Sequence, residues 1–298
     1  MQPGEDFHGL PTLSISSSFL SVDFLAEAGP RLVRLKLAGQ HDNLLAEVPD
    51  MSWETTYGTF HIHGGHRLWH APEAMPRTYM PDNDGLEVEP FEGGVRLRGP
   101  VEESTGIQKV MEVILHTDRP VLTVQHALHN AGSWAVELAP WAITQVPLGG
   151  VAVLPMSAPV PSQYLPNRQL NLWSYTHIRD TRLRLDDDLA LVEGKTRRQS
   201  FKIGCFNHAG WLGYLAGDVF FVKRFEPQPA LQHPDQNSNC EVYVWDKFLE
   251  METLGPLARL EPGSTATHTE TWELFAAADA KPTIDGVRAV VAALKLSS

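Results

Sequence analysis

The chain has 298 residues, 43% hydrophobic and 20% charged, which supports a sizeable packed core and excludes a disordered chain. A formal charge of −12 argues against nucleic-acid phosphate or an anionic membrane as the main partner. Two cysteines, Cys205 and Cys240, fall short of a disulfide framework and lack metal-site spacing.

The opening, MQPGEDFHGL, is acidic and polar, and no apolar run reaches membrane-span length, so a cytoplasmic protein is expected. FLSVDFLAEAG and RLVRLKLAG alternate at period two around Gly29-Pro30, which predicts strands with one wet face.

From Tyr57 to Asn83 the chain crowds His61, His63, His66, His70, Arg67, Glu73, Arg77 and Asp82 among Tyr57, Trp69 and Tyr79. Gly64 and Gly65 loosen the backbone in the middle, where it must turn sharply or approach a neighbour closely. Groups that donate, accept and stack around such a bend suit a polar-ligand site. A packed loop with histidines bonded to backbone carbonyls is the alternative. His61 and His63 share a strand face and could chelate a metal, but Glu73 lies too far along to complete the set, so no metal or cofactor is expected.

LEVEPFEGGVRLRG predicts a hairpin turning at Glu92-Gly93-Gly94, and IQKVMEVILH with VLTVQHALHN a second across Thr117-Asp118-Arg119-Pro120. His126 and His129 then lie on opposite strand faces. WAVELAPWAITQV carries Pro140 mid-run, which predicts a bulge, a break or an edge position. Trp141 is either core or a stacking platform for a sugar face, and Lys223 is a candidate wall residue.

The proline-rich stretch 151–198 reads as a long excursion over the sheet. Strands resume at FKIGCFN, and HPDQNSNCEVYVWD brings His233 and Asp235 into a loop able to line a cleft. In KFLEMETLGP, Glu250 and Glu252 alternate with Leu249 and Met251 and so share one face. Two carboxylates this close raise at least one pKa, which suits acid–base work near neutrality; a solvated strand face is the bland alternative. Only IDGVRAVVAALK reads as helix. About 15 to 18 short strands, with no composition break and no repeat, predict one all-β domain over residues 1–298.

Three stretches resemble the galactose mutarotase-like (aldose 1-epimerase-like) superfamily. His63-Gly64-Gly65-His66-Arg67 resembles its L-H-G-G segment, with Ile62 for the leucine, and Leu249-Glu250-Met251-Glu252 resembles its L-E-x-Q segment. LTVQHALHNAGSWAVELAPWAITQVPLGG resembles the strand, turn and return strand that lead to the family's catalytic histidine. The C-terminal LEPGSTATHTETWELF resembles its closing turn and strand.

The resemblance implies a large antiparallel β-supersandwich with a short C-terminal helix, acting on a sugar or oligosaccharide. It makes Glu250 the general base, with His63 or His233 as catalytic histidine. His66, Arg67, Glu73, Trp141, Lys223, Asp235 and Glu252 would bind substrate. One departure stands out: where the family has H-P-Y-F, this chain reads Trp141-Ala142-Ile143-Thr144, so His66, His126 or His233 must supply the proton, or the chemistry differs. The Gly-Arg-Val-x-Asn-Arg segment is also absent. A non-catalytic carbohydrate-binding protein is the second reading, and a lyase or hydrolase using Arg67, Arg77 and Lys223 on an acidic glycan the third. The oligomeric state is left open.

Overall fold

Alternating apolar residues dictate strands, and the computed structural model, which describes residues 1–40 and 42–296, pairs them into two large antiparallel sheets. One sheet has eleven strands and the other ten, and a separate two-stranded ribbon joins Glu47–Thr55 to Gly58–Gly64. Among the described residues the strands number twenty-three, more than the sequence suggests, because pairs and triplets such as Asn171–Leu172 and Ala258–Leu260 add short edges. Both predicted hairpins form, with Phe91 facing Gly94 and Leu115 facing Leu122. Among the described residues, no helix is long and apolar enough to cross a membrane.

The main core lies between the sheets, where Leu97, Met111, Leu122, Val146, Met251 and Trp272 interdigitate. Helix Ile284–Ala293 covers part of the outer face of the ten-stranded sheet, packing Val287 and Val291 against Val153, Leu191, Trp211 and Phe220. A third apolar cluster joins Phe60 and Ile62 of the ribbon to Trp69, Trp141, Ile143 and Phe248 on the other face of the eleven-stranded sheet.

Pro140 does not break its strand. Val136–Pro147 runs through it, pairing with Ala258–Leu260 before it and with Phe248–Leu254 after it. Pro140 falls where the strand changes partner, so its missing N–H costs no ladder bond there, and its carbonyl accepts the Gly255 N–H at 2.9 Å.

Candidate active site

In the eleven-stranded sheet, His66–Ala71, Val136–Pro147, Phe248–Leu254, Cys240–Val244 and Phe201–Cys205 lie side by side. Their registers align Arg67, Ile143, Glu252 and Glu241 in one row, and Gln145, Glu250, Tyr243 and Lys202 in the next. The pleat sends both rows to the same face, away from the inter-sheet core. There they bound a cavity of about 290 Å³, walled by Trp53, Trp69, Trp141, Tyr79, Tyr175 and Phe248. A second groove of about 630 Å³, lined by Leu44, Leu148, Ala216, Val219 and Phe221, is larger. It lacks the convergence of buried acids and bases that marks a reactive centre.

Glu250 sits at the centre of the smaller cavity, 7% exposed. Its Oε1 accepts from Arg67 Nη2 at 2.9 Å and from Gln145 Nε2 at 2.8 Å. No hydrogen bond among the described residues uses Oε2, so that oxygen is the one free for a ligand. Burial pushes the Glu250 carboxyl above its ordinary value; Arg67 opposes this and Glu252 adds to it. Arg67 lies 4.2 Å from the Trp69 ring centroid, and its Nε and Nη1 are buried without a partner.

Lys202 forms the other charged knot, 2.8 Å from both Glu241 and Glu252 and 4.7 Å from the ring centroids of Trp141 and Trp173. Burial works against its ammonium, but the two carboxylates outweigh it and hold the pKa well above the ordinary lysine range. Glu252 also accepts from Trp141 Nε1 at 2.7 Å, which fixes the indole as one wall. At the rim, Tyr79 donates to Glu73. Burial and then that carboxylate push the Tyr79 hydroxyl far above its ordinary value.

The structure thus gathers Glu250, Arg67, Glu73 and Trp141 around the cavity, with Glu252 directly behind Trp141. The histidines go elsewhere. His63, Gly64 and Gly65 all have left-handed φ, 55°, 100° and 69°. A side chain at Gly64 would meet the Ala46 carbonyl oxygen at 2.1 Å, and one at Gly65 the Leu32 carbonyl oxygen at 1.9 Å. This bend carries the ribbon into the main sheet. In the ribbon Ile62 faces the cavity, so His61 and His63 stack on each other on its far side, ring centroids 5.3 Å apart. Past the bend Arg67 takes the cavity face, so His66 points into the core. His63 and His66 therefore do not meet Glu250 in a common cavity.

His233 packs edge-on against Phe206, outside the cavity. Asp235 lies beyond the lining but close to Glu241 and Lys202, with burial raising its carboxyl. It stands in a run of three left-handed residues, Asp235, Gln236 and Asn237. Lys223 is not a wall residue; it is fully buried between the sheets. Arg77 donates to the Pro72 carbonyl, so Arg67, Arg77 and Lys223 do not converge as an acid-binding trio.

Behind the cavity, on the core side of the same strands, lies a buried polar cluster. His126 Nδ1 bonds the His268 carbonyl at 2.9 Å, so it carries the proton and its Nε2 accepts from His66 Nε2 at 2.7 Å. His66 Nδ1 then accepts from Thr144 Oγ1 at 2.8 Å. Thr253 donates to Glu270, and His268 Nε2 donates to Thr253 Oγ1 at 2.7 Å. Lys223 Nζ lies 2.9 Å from Glu270 Oε1, and Trp272 Nε1 donates to Oε2 at 2.7 Å. One donor atom each from His66, His126 and Glu270 lies within 4.8 Å of the others, as in a metal site. Each is already bonded to protein: the two histidines to each other and Glu270 to the Lys223 ammonium. Burial holds all three histidines below their ordinary pKa, His268 at about 3, so they are neutral.

Gln145, Lys202, Glu241 and Tyr243 escaped the sequence reading. Each is a polar residue alternating with apolar neighbours in WAITQV, FKIGC and CEVYV, a period-two signal that marks a face without saying what lies across from it.

No family model matches the sequence, and no curated protein matches it. Solved structures do match its fold. A candidate aldose 1-epimerase from Klebsiella pneumoniae superposes with a TM-score of 0.59 at 13% identity, over 99% of this chain and 86% of that one. A candidate mutarotase from Salmonella typhimurium gives 0.54 at 13% identity, over 91% and 92%. A TPR-domain containing protein from Parabacteroides distasonis gives 0.59 at 13% identity over 92% of this chain, which spans only 49% of that longer protein. The chain is similar to galactose mutarotase-like structures, and its fold is the same antiparallel β-supersandwich.

Proposed function

We propose that the protein is a carbohydrate-active isomerase of the aldose 1-epimerase type, with Glu250 as general base. The observation that carries this reading is Glu250 itself. It is a buried carboxylate with one oxygen held by Arg67 and Gln145 and the other free, in an aromatic-walled cavity of about 290 Å³.

In this reading a pyranose lies against Trp69 and Trp141, and Glu250 Oε2 takes the proton from the anomeric hydroxyl. The bond from C1 to the ring oxygen breaks as that oxygen receives a proton, giving the open-chain aldehyde. Rotation about the C1–C2 bond and attack by the same oxygen on the other carbonyl face close the opposite anomer, and both protons return.

No histidine lines the cavity among the described residues, so the second proton comes from another donor. Tyr243 faces Glu250 directly across the strand pair and lines the same cavity, its hydroxyl 3.0 Å from Ser200 Oγ. Burial raises its pKa, so it holds its proton until the ring oxygen becomes basic. Proton NMR of freshly dissolved α-glucose, α-galactose and other aldoses, with and without protein, tests the reading. Anomer exchange no faster than in buffer across the panel would remove it.

The missing histidine favours a second reading, a carbohydrate-binding protein that uses the same cavity without turnover. Calorimetric sugar binding that survives Glu250→Gln, with no turnover by the intact protein, would favour it.

A further inference from the structure

The buried polar cluster behind the cavity is placed residue for residue against the cavity itself. His66 precedes Arg67, Thr144 precedes Gln145, and Thr253 follows Glu252, each on the opposite face of the pleat. Met251, between the two glutamates, turns its side chain to the core. Its carbonyl accepts a hydrogen bond from Lys223 Nζ at 3.0 Å, reaching across from the strand Val219–Phe225 of the other sheet. Lys223 and Glu270 are both 0% exposed. Burying such an ion pair is a costly way to gain stability, since apolar side chains of similar volume serve as well or better. Stability therefore does not account for it.

We propose that Lys223 is a positioning residue: clamped by Glu270, its ammonium holds the Met251 peptide from behind and fixes the aim of Glu250 and Glu252 into the cavity. The proposal deepens the epimerase reading and rests on Glu250 as proton acceptor. The neighbours that face Lys223 reinforce the clamp. Glu270 also receives Thr253 and Trp272, and Thr253 receives His268, so the carboxylate that clamps the ammonium is itself held in place. Without the ammonium, the Phe248–Leu254 strand keeps its ladders to both neighbours and the Thr253 bonds to Glu270 and His268, but the Met251 peptide between the two glutamates loses its bond to the opposite sheet.

The test uses Lys223→Met and the double variant Lys223→Met/Glu270→Gln. The double variant removes both buried charges, so it folds even where the single variant, with Glu270 unpaired, does not. Two readouts are taken: kcat and KM for anomer exchange, and the titration of the Glu250 carboxyl followed by ¹³C NMR. Misaiming a catalytic group by a fraction of an ångström lowers kcat roughly 10- to 100-fold while KM stays within about twofold. In the same variants the Glu250 titration moves away from the wild-type curve, as its distance to Arg67 changes. Unaltered kcat, or an unaltered Glu250 titration, in a folded double variant would overturn the positioning role. A wild-type protein that exchanges no sugar overturns the epimerase reading instead, and the titration alone then decides the role of Lys223.

Discussion

Replacing Glu250 with glutamine tests the candidate site most directly. The amide keeps the shape of the side chain and can still accept from Arg67 and Gln145, now at 2.9 and 2.8 Å, but it no longer takes a proton. Loss of a general base costs about 10²- to 10⁴-fold in rate, on the order of 3 to 5 kcal/mol of barrier. The structural cost works out smaller. Arg67 is 2% exposed, and deleting the partner of a buried charge costs on the order of 3–5 kcal/mol. Here the hydrogen bond survives, and relief of the repulsion between Glu250 and Glu252 offsets part of the lost charge pairing. The net loss should stay below about 2 kcal/mol, a fall in Tm of roughly 5 °C. The assay is polarimetry or proton NMR on freshly dissolved α-anomers, with the buffer rate subtracted, alongside a thermal melt. Activity within about twofold of wild type in a folded Glu250→Gln protein would refute the assignment of the base.

Three further outcomes follow from the same geometry. Gly65→Ala should cost more than about 3 kcal/mol in a denaturant melt, because a Cβ there meets the Leu32 carbonyl oxygen at 1.9 Å and φ is +69°. Glu102, held at about pKa 2 against burial by Lys109 and His70, contributes stability that is full above its unfolded value near 4.5 and lost as pH falls towards 2. Its acid-sensitive share is about 3 kcal/mol, so Glu102→Gln should flatten the stability curve over that window. Thr283→Ala removes the side-chain cap on the Gly286 N–H, bonded at 3.2 Å, and should cost about 1 kcal/mol with no change in sugar chemistry.

The sequence by itself determined what is local. Period-two alternation predicted a strand-built sandwich and put Glu250 and Glu252 on one face, and the run IDGVRAVVAALK predicted one C-terminal helix. It also marked Gly64 and Gly65 as a forced bend, which the close approaches to the Ala46 and Leu32 carbonyls explain. Tertiary structure decided which faces meet. Arg67 reaches Glu250 across a separation of 183 residues, and Lys202 reaches Glu252 across 50, through strand order that no local pattern encodes. The histidines show why. Alternation holds only within a continuous strand, and three left-handed residues reset it between the ribbon and the main sheet. On either side of that bend Ile62 and Arg67 took the cavity, leaving His63 on the ribbon's far side and His66 in the core. Lys223 and Lys202 look alike in sequence, each a lysine in an apolar strand. One became a buried anchor and the other a cavity wall, because their strands lie in different sheets and only the packing of those sheets fixes what each ammonium meets.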